Sequence, residues 1–329
     1  MRFARLALIG VVAALVIVSA ERQPSPLSPR VYLDQGLSVM QRNDVAAEDV
    51  DWATVTRHAQ RMAAAAKTPQ DTYPAIQYAL DQLRRAGDGH ASFVYPYWTE
   101  PAPIPASQPM PTVTVVHGKL GQVTLPEFQH TFDSAWAQRY LSTVLSGIAA
   151  LEKRAHPCGW IVDLDGDIGG NGWAMVLSVG PIIGEGRIGG LTGRNGFLGW
   201  VSYRNGVISG LGISFPAPIR VPVISPAPPV AVLTSQETAS GGEFVAVAFR
   251  GRPQTRSIGA PTAGATNGPG LFRLADGARL FLGVNDFVDR NGVVYKHSIR
   301  PDIVAYLDQA AASRWLLHTS ACAHDPRHG

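Results

Sequence analysis

The sequence predicts a mixed α/β fold: a small helical part followed by a larger core. Three observations carry this. Strand-like and helix-like runs alternate from about residue 113 to 265, the pattern of a sheet covered by helices. Residues 31–86 show no strand alternation and place Val55, Ala59 and Met62, then Ile76, Leu80 and Leu83, at helical spacing. The 34 glycines and 25 prolines among 329 residues supply the turns that a many-stranded core requires.

The elements follow in chain order. Residues 1–20, "MRFARLALIGVVAALVIVSA", carry Arg2 and Arg5 ahead of an apolar run from Leu6 to Val18, and end on small residues. This is the pattern of an export signal. As a helix the apolar run spans roughly 20 Å, short of the ~30 Å of a bilayer core. It reads as a cleaved signal peptide with a mature end at Glu21, or as a retained anchor that keeps the chain at a membrane. Either way the rest is exported, to the periplasm, the cell envelope or the exterior.

Residues 21–92 form the helical subdomain, opening on a Pro/Ser-rich linker. Asp71 or Thr72 is the expected cap of its later helix, with Pro74 in the first turn. Residues 93–112 hold too many prolines for helix or central strand and read as a connector. The core spans 113–310. It opens with a hairpin, "TVTVVHG" and "KLGQVTLPEF", and a helix over 133–154 capped by Asp133. A buried strand, "CGWIVDLDGD", then runs into the glycine turn "IGGNGW". Asn205-Gly206 marks a second hairpin. "PVAVLTSQ" is a buried strand that leads into a helix over 240–250. Residues 311–329 are a C-terminal tail. Cys158 and Cys322 either pair in an exported protein or stay as two buried thiols.

A net charge of +3, with scattered arginines and no basic stripe, implies no nucleic-acid partner. Chemistry concentrates in three blocks. In "ETASGGEF", residues 237–244, Ser240 and Glu243 fit a helix capping box. A cap does not account for Gly241 and Gly242. A serine nucleophile does, because bare backbone at a helix N-terminus lets a substrate approach and stabilises an oxyanion. In "VDLDGDIGGNGW", Asp163, Asp165 and Asp167 alternate, which raises a calcium loop. The glycine comes one residue late and position twelve is Ala174, so the reading is weak. The other reading is a glycine turn whose N–H groups, at Gly169, Gly170 and Asn171, supply a second oxyanion donor. In "RRAGDGHASFVYP", His90 sits in a polar turn, as a surface residue or a base. His297 is the only other histidine beside a strand end and a Pro-Asp turn.

Together "GQVTLPEF", "WIVDLDGDIGGNGW", "VLTSQETASGGEFVAVAF", "SIGAPTAG" and "DRNGVVYKHSIRPDI" resemble, in order, the tail-specific (C-terminal processing) serine peptidases. The resemblance spans about residues 30–305 and favours the tricorn-like and nisin-resistance-like branch. It implies a core of the ClpP/crotonase-like type, a peptide or protein substrate, and neither cofactor nor metal. It places Ser240 as nucleophile, His90 as base, and Gly241, Gly170 and Asn171 at the oxyanion hole. The chain departs from the pattern in four ways. Ala265 stands where Ser–Lys members carry lysine. "DLDGD" replaces "DLRGN". No glutamate precedes the Pro-Asp turn, so no third catalytic group is named. The connector is too short for a PDZ domain. The altered turn and the missing carboxylate motivate a rival reading, a weak or inactive peptide-binding protein on the same scaffold.

Overall fold

One helix lies between two sheets, and it begins at Ser240. A computed structural model describes residues 27–96, 108–305 and 309–323. The expected targeting segment, residues 1–20, and the middle of the Pro-rich connector, residues 97–107, lie outside the described residues. Among the described residues no helix is long and apolar enough to cross a membrane.

The first sheet has six strands in the order Ile303–Val304, Thr255–Gly259, Val230–Thr234, Gly159–Asp163, Leu120–Thr124 and Thr112–Val116. All pairs are parallel except the last, which is the expected hairpin. Parallel strands are buried on both faces, which is why these read as continuous apolar runs. Trp160, Val162, Val230 and Val232 face the main core with helices Ala135–Arg154 and Gly241–Phe249. Ile161, Ala231 and Leu233 face the other way, against Ala312 and Leu316. That second cover is the segment expected as a tail: it folds as helices Gln309–Leu317 and Ser320–Ala323. Cys322 is bonded to Cys158, so the two cysteines pair.

The second sheet is antiparallel, with the long strand Arg279–Asp289 at its centre. Along one edge this strand pairs with Ser92–Val94 and Gly186–Gly193, and along the other with Asn267–Arg273. The hairpin at Asn205-Gly206 forms as expected, with φ of 51° and 77°, the left-handed pair that a tight two-residue turn demands.

Helices Pro29–Asn43, Trp52–Met62 and Tyr73–Arg85 bury Leu33, Leu37, Val55, Ile76, Leu80 and Leu83 in one cluster with Leu280 and Leu282 of the long strand. Each such side chain contributes about 1.5–3 kcal/mol on full burial. Of the two expected caps one moves by a residue, and Thr72 stands at the N-cap of Tyr73–Arg85 as expected, with its hydroxyl donating to Pro69 O at 2.6 Å. Ser134, not Asp133, accepts the Ala137 N–H at 3.0 Å at the head of Ala135–Arg154. Asp71 accepts the N–H groups of Lys67 and Thr68, closing a short turn before helix Tyr73–Arg85, where Pro74 lies in the first turn.

Candidate active site

Strands Gly159–Asp163 and Val230–Thr234 are parallel neighbours, so both end on the same edge of the sheet. The loops leaving that edge meet, which is where open parallel sheets build their sites. Thr238 fastens them: its hydroxyl donates to Leu164 O at 2.7 Å, and Ala239 N donates to Asp167 O at 2.9 Å. The three acidic residues of the turn do not gather. Asp165 is exposed, Asp167 is fully buried, and Asp163 accepts from Gln122 and Thr124. Among the described residues no group of three such side chains converges as metal ligands.

Ser240 opens helix Gly241–Phe249 in a strained backbone state, φ 49° and ψ −111°. Glu243 holds it there: its Oε2 accepts the Ser240 N–H at 2.9 Å, the capping-box half foreseen from the sequence. The other oxygen of Glu243 accepts from Gly264 N at 2.9 Å and from the Thr262 hydroxyl. Glu243 therefore ties the serine to the loop before Asn267. Burial pushes its carboxyl up, partly offset by these hydrogen bonds.

His90 reaches the serine from the helical part. Its Nε2 lies 3.0 Å from Ser240 Oγ, joining positions 150 residues apart. The ring's Nδ1 meets Asn267 Oδ1. Asn267 Nδ2 in turn donates to Asp88 Oδ1 at 3.0 Å. His297 stays outside this chain of contacts and packs against Gly87. Neither Asn267 nor Asp88 was foreseen as a site residue. Asp88 stands two positions before His90 inside "GDGHASF", but nothing local marks it. Asn267 follows "TAGAT" as one polar residue among many.

The glycine turn stands against the serine. A Cβ on Gly169 would lie 2.7 Å from Ser240 Cβ, and a Cβ on Gly170 would overlap the Phe128 carbonyl. Gly170 has φ of 109°, which side chains rarely adopt. Among the described residues no acceptor takes the N–H of Gly170 or Gly241, and both residues line the cavity beside Ser240. Asn171 is a correction. Its N–H donates to Phe128 O at 2.8 Å, because Gly170 and Phe128 form a β-bridge, so it has no proton left for an oxyanion. Its side chain caps helix Gly172–Ser178 instead. The cavity encloses about 280 Å3 between Trp173, Leu191, Phe244, Pro269 and Phe287, and no ionisable side chain lines it. A serine hydroxyl with an imidazole 3.0 Å away, and two unengaged N–H groups on the cavity beside the serine, are the parts of acyl-transfer chemistry.

A family model described as peptidase family S41 matches residues 119–305, more than half of the chain. The chain belongs to the S41 peptidases. It is 26% identical over 292 residues to a nisin-resistance protein of Lactococcus lactis subsp. lactis, covering 88% of each chain. Its fold is similar to a lipoprotein from Streptococcus agalactiae, with TM-score 0.67 and 22% identity over 88% of this chain and 96% of that one. It is also similar to a photosystem II D1 C-terminal processing protease, with TM-score 0.59 and 15% identity, covering 90% and 99%. Both expectations from the motifs, the family and the mixed α/β core behind N-terminal helices, are met.

In this S41 chain Ala265 lies against the loop that bears His90. A Cβ on Gly89 would lie 2.8 Å from Ala265 Cα, so the loop bearing His90 packs directly onto position 265. A long side chain at 265 and this loop would compete for one space. Asp167, standing where the family pattern has asparagine, keeps one oxygen without a partner, and burial pushes its carboxyl up to about 8.

Proposed function

We propose that this S41 chain is an exported serine peptidase in which Ser240 attacks the peptide carbonyl and His90 takes its proton. The Ser240 Oγ–His90 Nε2 separation of 3.0 Å carries the reading. The attack forms a tetrahedral oxyanion, to which the N–H groups of Gly170 and Gly241 donate at the positive end of helix Gly241–Phe249. His90 then returns the proton to the leaving amine, and the resulting acyl-enzyme is hydrolysed by a water that the same imidazole activates. General-base help is worth about 10²–10⁴ in rate and one oxyanion donor about 10²–10³. The cavity walls of Trp173, Phe244 and Phe287 suit an apolar side chain of an extended peptide. Export is supported by the N-terminal apolar run and by the Cys158–Cys322 bond, which belongs to oxidising compartments.

The test is hydrolysis of an unfolded protein and of a peptide library by the exported chain and by Ser240→Ala. The wild type cleaves, and Ser240→Ala falls by at least about 10⁴ with an unchanged fold. A variant that keeps a tenth of wild-type turnover removes Ser240 from the role of nucleophile.

A further inference from the structure

We propose that Asp88 decides which ring nitrogen of His90 carries the proton, acting through the side-chain amide of Asn267; the inference rests on the Ser–His reading above. Asp88 does not touch Ser240. It is fully buried and accepts three N–H groups: His90 N at 2.8 Å, Asn267 Nδ2 at 3.0 Å and Gly283 N at 2.8 Å. Gly283 permits this approach, since a Cβ there would lie 2.9 Å from Asp88 Oδ1.

The direction of the chain follows from donor and acceptor chemistry. An ionised carboxylate only accepts hydrogen bonds. The end of the Asn267 amide that faces Asp88 must therefore be the NH2. Its oxygen then faces His90 Nδ1 and only accepts, so Nδ1 must hold a proton. In the neutral ring that leaves Nε2 as a lone pair, 3.0 Å from the Ser240 hydroxyl. A serine base requires that tautomer. Without Asp88 the amide is free to turn end for end, and an NH2 facing Nδ1 would force the proton onto Nε2.

Asp88 must be the ionised member of its acidic neighbourhood. Asp44, also fully buried, lies beside it, and Asp286 is a further neighbour faced by Lys296. Asp44 accepts one N–H, from Ala46 at 2.8 Å, and its second oxygen has no donor. Three N–H groups converge on Asp88 against one on Asp44, so the charge sits on Asp88 and the proton on Asp44. Burial pushes the Asp44 carboxyl up to about 9, helped by a hydrogen bond to Asp88 and then by the Asp88 charge, in keeping with this division. The arrangement differs from a histidine held directly by a carboxylate: here an amide touches the ring and the charge lies one residue further back.

Two measurements test it on the mature chain. The first is the ¹⁵N chemical shift of the His90 ring nitrogens at a pH where the ring is neutral. The Nδ1–H tautomer is expected in the wild type; finding Nε2–H there overturns the proposal without any variant. The second is a swap. Asp88→Asn is expected to move His90 toward Nε2–H and lower kcat by about 10² or more, with KM nearly unchanged. Adding Asn267→Asp to it puts an acceptor back on Nδ1 and an amide behind it. The doubly substituted chain should recover to within about tenfold of wild type. Its acid limb should move to higher pH, because a carboxylate now touches the imidazole. An Asp88→Asn chain that folds and keeps wild-type kcat and tautomer overturns the proposal, as does a folded swap as inactive as Asp88→Asn. A wild type with the Nδ1–H tautomer but no peptidase activity would support the relay and remove the peptidase reading instead.

Discussion

Ser240 and His90, the proposed nucleophile and base, reach each other by opposite routes. Ser240 is placed by its neighbours in sequence: Glu243 three residues on, a helix buried along its length, and a strand ending six residues before. His90 is placed almost wholly by distant residues. Its ring is held by Asn267, 177 positions away, and its loop packs onto Ala265. One half of the site is local; the other is an assembly between the helical part and the segment around Ala265 and Asn267. A motif can encode the first half. The second half exists only once the chain has folded.

Breaking each half tests the comparison, and after Ser240 itself the proposed base gives the largest effect. His90→Gln should lower kcat by about 10² or more, while Lys296→Ala changes it little, in steady-state assays on one peptide. Next comes the oxyanion turn. Gly170→Ala adds a Cβ into the Phe128 carbonyl at a positive φ, displacing the N–H beside Ser240. We expect a kcat loss of about 10²–10³ with a smaller change in KM.

Smaller effects fall on stability and leave the chemistry alone. Replacing Cys158 and Cys322 by serine opens a loop of 164 positions. Denaturant unfolding should show a loss of about 2–4 kcal/mol, with kcat at low temperature unchanged. Asp167 bears on stability only through pH. Its folded carboxyl titrates at about 8, above the ordinary carboxylate range, so the folded chain holds a proton that the unfolded chain releases near pH 4. Its contribution to stability is complete below about pH 4 and is lost as pH rises toward 8, by at most about 1.4 kcal/mol per pH unit. Asp167→Asn should flatten the dependence of unfolding free energy on pH between 5 and 8.

These contrasts explain what the sequence made legible. The strands were readable because parallel strands buried on both faces must be apolar throughout, as in Val230–Thr234. Ser240 was readable because two glycines after a serine cost helix stability and need a reason. His90 was reached through the family pattern, since a lone histidine in a turn has no local signature. Asn267 and Asp88 were not legible, because their meaning lies in a contact across 179 positions. Asn171 was misread as a donor for a related reason: the carbonyl that takes its N–H belongs to Phe128, in a different loop. The helix at Gln309–Leu317 was missed because its short apolar face gains definition only against Ile161 and Leu233.

On the proposed mechanism Ser240 is a nucleophile activated by His90. A fluorophosphonate probe, followed by peptide mapping in a mass spectrometer, tests it most directly. One adduct is expected, on Ser240, formed quickly in the wild type and at least about 10² more slowly in His90→Gln. An adduct on another residue, or equal labelling of Ser240 in the two chains, would contradict it.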